Sequence, residues 1–81
     1  MKPSEARRLA GEHDADALQA AAEALGDERA PAIVVHGKDE GEMLTHVLLA
    51  MRIRARVDAG EEPKDAYRAV MGEVRGVLSN D

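Results

Sequence analysis

Apolar residues recur at three- and four-residue spacings along most of this 81-residue chain, the signature of amphipathic helices. The longest such pattern follows Asp39 and runs to Ala59. Asp39 suits an N-cap, and Glu42, three residues on, stands where a capping box places its reciprocal acceptor. Gly60 marks a natural stop, and Arg52, Arg54 and Arg56 weight the C-terminal half, where cations complement the helix dipole. At about 100° per residue, Leu44, Val47, Leu48, Met51 and Ala55 share one stripe, expected to be ordinary core. Met43, His46, Leu49, Ala50, Ile53 and Val57 occupy the other side, so only a narrow sector around Thr45, Arg52 and Arg56 is polar. A helix apolar on two sides is expected to be buried on two sides. In so short a chain the second side is assigned to another subunit, which makes Met43, His46, Leu49, Ala50, Ile53 and Val57 the expected surface of a homo-oligomer, a dimer. The run Arg52-Ile53-Arg54-Ala55-Arg56-Val57 also alternates with a strand's period of two, but the unbroken pattern upstream favours helix.

The same spacing places three further helices. Ser4 to Ala10 reads as a short first helix stopped by Gly11, too short to stand without packing. Asp14 caps a second, Ala15 to Leu25, with Leu18, Ala21, Ala22 and Leu25 on one face; Gly26 and Asp27 close it and Pro31 prevents its continuation. Pro63 suits the first position of a last helix reaching about Leu78, with Tyr67, Val70, Met71, Val74, Val77 and Leu78 as its stripe and Asp65, Ala69, Gly72 and Gly76 on a small-residue flank. Each internal glycine costs about 1 kcal/mol relative to alanine, and close helix approach is the expected reason for it. Between the second and third helices, Pro31-Ala32-Ile33-Val34-Val35-His36-Gly37 is β-branched and extended. A lone extended segment must satisfy its N–H and C=O groups. It can do so against the N-terminus, against its own copy across a two-fold axis, or by lying over the helices with no ladder. The expected fold is therefore all-α: one domain over residues 1–81, a small bundle of three main helices plus a short N-terminal helix, with an extended connector around Pro31-His36.

Composition narrows the function classes. With no Phe or Trp and a single Tyr, the core must come from Leu, Val, Ile, Met and Ala, which supplies a few kcal/mol of net stability. A formal net charge of −5 argues against a general nucleic-acid or anionic-membrane binder. Zero cysteines exclude disulfides, thiolate zinc sites and thiol catalysis in this chain. No run approaches the length of a membrane span and the N-terminus has no apolar signal region, so a cytoplasmic protein is expected.

Candidate chemistry is sparse. Glu42 and His46, four apart, share a helical face. With His36 upstream they are the residues from which a two-histidine, one-carboxylate site for a divalent metal would be assembled, although a capping Glu42 and a hydrogen-bonded His46 explain both without metal. Thr45 and His46 point about 100° apart on a helix, and Ser4 and Ser79 lie at the chain ends, so no nucleophilic triad forms. Gly37 and Gly41 bracket a loop before a helix N-terminus, but Asp39, Glu40 and Glu42 would repel a phosphate there. The arginines at 52, 54 and 56 diverge around the helix and are expected to pair with acidic neighbours such as Glu61 and Glu62.

The block Gly-Lys-Asp-Glu-Gly-Glu-Met-Leu-Thr-His at 37–46, preceded by Pro-Ala-Ile-Val-Val-His and followed by a charged helix, resembles a family of short uncharacterised bacterial proteins, a domain of unknown function, that carries a G-x-DEGE-x-LTH block. The resemblance singles out Gly37, Asp39, Glu40, Gly41, Glu42, Leu44, Thr45 and His46. It also implies coding near thioredoxin-like and peroxiredoxin-like genes, and with it a redox-associated accessory role in which a cysteine-free chain would act as partner or regulator. The expectation is a non-enzymatic interaction or accessory module without a cofactor, self-associating through the 40–59 helix. The alternative is a metal-binding protein or metal-dependent enzyme using His36, Glu42 and His46, with a nucleic-acid-associated regulator behind it.

Overall fold

In the computed structural model, which describes residues 2–79 and side-chain surroundings for residues 2–74, four helices carry the chain: α1 (Pro3–Glu12), α2 (Ala15–Gly26), α3 (Glu40–Asp58) and α4 (Pro63–Ser79). No strand occurs among the described residues. The expected all-α bundle with a short N-terminal helix is the observed one. Gly76 and the predicted stripe positions Val77 and Leu78 lie within α4 but beyond the residues whose side-chain surroundings are described, and the tail residues Asn80 and Asp81 lie outside the described residues.

Each boundary has a local cause. The Asp14 carboxylate accepts from the Ala17 N–H at 2.8 Å and Asp39 from Glu42 at 2.8 Å, so both predicted N-caps form. The Glu42 carboxylate reaches back to the Lys38 N–H at 3.0 Å, one residue beyond the N-cap, and completes the box in a shifted form. At the end of α3, Gly60 adopts φ +110°, while the Gly60 N–H bonds Val57 O and the Glu61 N–H bonds Arg56 O, a Schellman closure. The same pair of bonds closes α2, from Glu28 to Leu25 O and from Arg29 to Ala24 O. There the left-handed residue is Glu28, at φ +58°, and Gly26 is simply the last helical residue.

Helix α1 runs through Gly11 rather than stopping at Ala10, because Ala6, Leu9 and Ala10 are packed to between 0 and 5 % exposure. That burial outweighs the roughly 1 kcal/mol a helical glycine costs. In α4 a Cβ added at Gly72 would meet nothing within 4 Å, so the expected close helix approach is not its reason.

Helix α3 is the hub: α1, α2 and α4 each pack against it, and α1 also touches α4. Its buried residues are His46, Val47, Leu49, Ala50 and Ile53. This reverses the expected roles of its two sides. The flank assigned to another subunit is covered by the chain's own helices: Ala50 and His46 are fully buried, Ile53 is 2 % and Leu49 8 % exposed, and Met43 and Val57 are half-buried against the same core. Of the stripe expected as core, only Val47 is buried; Leu44 and Met51 are half-buried and Leu48 and Ala55 exposed. Three neighbouring helices claim the broader apolar side. A molecule of 32 × 31 × 17 Å, about two helices thick, leaves the outer side of its hub open.

Candidate functional site

Two features of α3 compete as the functional site, a polar knot at its N-terminal end and the open outer face. The knot begins with the connector. Residues 34–36 have no strand beside them, and side chains take the strand's place. The buried Glu5 carboxylate accepts from the His36 N–H at 2.8 Å, and the Arg8 guanidinium donates to Val34 O at 2.9 Å. Arg8 also holds both Glu5 oxygens, at 2.9 and 2.7 Å, the fork geometry that makes Arg–carboxylate pairs strong. The Arg8 hydrogen bond, opposed by burial and aided by the His36 N–H, holds the Glu5 carboxyl down at about 2. Of the ways open to the extended segment, lying over the helices is the one observed.

His46 ties the knot's other side. One ring nitrogen, Nδ1, lies 2.8 Å from His36 O and the other, Nε2, accepts from the Lys2 N–H at 2.9 Å. The tautomer carrying its proton on Nδ1 satisfies both partners. Gly37 lies so close to α3 that an added Cβ would stand 2.8 Å from Met43 Cγ and 3.0 Å from its backbone nitrogen, which is why the connector needs glycine there. The Lys38 N–H is the main influence lowering the Glu42 carboxyl.

His36, Glu42 and His46 do line one open cleft of about 530 Å³, together with Lys2, Gly37 and Lys38. They do not converge as a metal set: among the described residues no group of three or more His, Cys, Asp or Glu is placed to hold an ion. To ligate through either nitrogen, His46 must surrender a main-chain hydrogen bond. Glu5 and Arg8 were not singled out from the sequence. Their three-residue spacing on a short helix was legible, but ordinary surface pairs share it, and only the fold reveals that the pair is buried beneath the connector.

The arginine series is engaged within the chain. Arg52 pairs with Glu73, Arg54 with Asp58 at 3.0 Å, and Arg56 with Glu61 at 2.7 Å and Glu73 at 3.5 Å. Arg54 also donates to Ala10 O at 3.3 Å. The expected partner Glu61 is confirmed, whereas Glu73 on α4 was not foreseen because it is distant in sequence.

The outer face is simpler. Gly41, Leu44, Leu48, Met51, Ala55 and Asp58 follow one another at alternating spacings of three and four, the heptad seam of helices that pair side by side. Leu48, at its middle, is 48 % exposed. Among the described residues no helix is long and apolar enough to cross a membrane.

Fold and site together define a small all-α bundle with a polar-knotted connector and a heptad stripe on its central helix that leaves Leu48 half-exposed. The chain belongs to a family of unknown function, DUF6952, whose model matches residues 1–79. No match is found among curated proteins or among solved structures.

Proposed function

We propose that this protein is a non-enzymatic interaction module that pairs with a second copy through the outer face of α3. The observation that carries the reading is the heptad spacing from Gly41 to Asp58 with Leu48 half-exposed at its middle and Leu44 and Met51 beside it only partly covered by the core. Helical pairing needs apolar a/d residues that a neighbour can reach; Leu48 is exposed, and Leu44 and Met51 keep part of their surface open on either side of it. The polar knot fits the same reading in a supporting role, because its side chains are occupied in fixing the connector against α1 and α3.

Sedimentation of the wild type and of Leu48→Glu over a range of concentrations tests the proposal. The wild type is expected to sediment as a dimer and Leu48→Glu as a folded monomer, its helical circular dichroism unchanged because the site is outside the core. A wild type that stays monomeric to millimolar concentration, or a variant that remains dimeric, overturns it. Ile53→Asp serves as the contrast: it strikes the core, so it unfolds the chain rather than separating copies.

A further inference from the structure

Where the end of α1, the last turns of α3 and the start of α4 meet, the chain forms a pocket of about 200 Å³. Val57 lines it, and nine residues separate Val57 from Leu48, about half a turn round the helix, so the pocket lies across α3 from the proposed pairing face and does not depend on it. Ala10 and Ile53, 5 and 2 % exposed, give it an apolar floor that Gly11, Val57 and Pro63 continue. Arg7 and Arg54 complete the lining, and among the described residues no acidic side chain takes part in it. In a chain with 16 acidic residues against 11 basic ones, its sign sets the pocket apart. We propose that it binds a small monocarboxylate with an apolar or aromatic body, the carboxylate on Arg7 and the body against Ala10, Ile53 and Val57.

Arg7 is the anchor because its charge is unmet. Arg8, Arg52, Arg54 and Arg56 each pair with a carboxylate of the chain, whereas Arg7, the remaining guanidinium of α1 and α3, has no ion pair among the described residues. Its contact is with Tyr67, whose ring centroid lies 5.2 Å from the guanidinium carbon. A cation–π contact steadies the charge but supplies no acceptor oxygen, which leaves the N–H fork for a planar anion such as a carboxylate. Arg54 plays a different part. Asp58 and Ala10 O hold it at 3.0 and 3.3 Å, so it forms wall rather than anchor. Volume limits the ligand's body: a cavity of about 150 Å³ takes up benzene, so about 200 Å³ suits a single ring or a short branched chain.

Benzoate, titrated into the isotope-labelled chain while its amide resonances are followed, tests the proposal. Saturable shifts centred on Gly11, Arg54 and Val57 are expected, at about millimolar affinity, which is ordinary for so small a ligand. Benzamide keeps the ring without the charge and acetate keeps the charge without the ring; each is expected to bind about tenfold more weakly than benzoate. Arg7→Gln is expected to lose about tenfold in affinity for benzoate, while Arg68→Gln, which removes the same charge from α4 outside the pocket, loses none. Both positions are exposed, so both variants remain folded. Shifts that do not saturate or that fall elsewhere, an analogue that binds as well as benzoate, or equal losses in the two variants overturn the proposal.

Discussion

Glu5 is the residue whose chemistry the fold exploits most. Its carboxyl sits at about 2 instead of 4.5, which means the folded chain holds the ionised form more tightly than the unfolded chain does. The resulting stabilisation is complete above pH 4.5 and is lost as the pH falls through about 2. Glu5→Gln is expected to cost about 2–3 kcal/mol at neutral pH, since it removes the buried charge from the Arg8 fork and leaves only the exposed Glu12 to pair with it. Thermal melts of both proteins between neutral pH and pH 2 check this: the gap between them should be widest at neutral pH and narrow with acid, and a gap that does not change with pH would contradict it. The sequence held Glu5 and Arg8 in plain view at helical spacing. What it lacked was their depth, which depends on Val34 and His36, residues about thirty positions away.

At the scale of elements, the helices were legible because caps and stops are local chemistry. Asp14, Asp39, Gly60 and Pro63 each do what their residue type implies. The exceptions are Gly11, which α1 runs through, and the end of α2, where the expected glycine stop at Gly26 gives way to a left-handed glutamate two residues later. A non-glycine residue in that region bears about 1 kcal/mol of strain, so Glu28→Gly is expected to stabilise the protein by about that amount, and the chemical denaturation midpoint measures it. In α4 the opposite exchange applies. Gly72 is helical, exposed and free of neighbours, so Gly72→Ala is expected to add about 1 kcal/mol, read from the same midpoint. Whether a glycine serves packing or merely tolerates solvent cannot be decided from spacing alone; the fold decides it by what surrounds the missing Cβ.

For the molecule as a whole, periodicity revealed that α3 is apolar on two sides but not which side faces inward. Both stripes have helical spacing, and the choice was settled by three partner helices converging on the broader one. The chain does not cover its whole hub, so Leu48 on the narrower stripe is left for solvent or a second copy. Truncation separates the two sides: Ile53→Ala is expected to cost about 2–5 kcal/mol of stability. Leu48→Ala is expected to cost under 1 kcal/mol in the monomer while weakening the proposed dimer. Equal losses of stability at the two positions, measured by denaturant titration, would argue against the assignment of faces.

The connector also has a kinetic consequence. The His36 amide belongs to no helix, yet its proton is held against a buried carboxylate, so it should exchange with deuterium slowly, at a rate set by release of the loop rather than by fraying of a helix end. That single proton is a clock for the knot: Glu5→Gln should quicken it, and Leu48→Glu, on the other side of α3, should leave it unchanged.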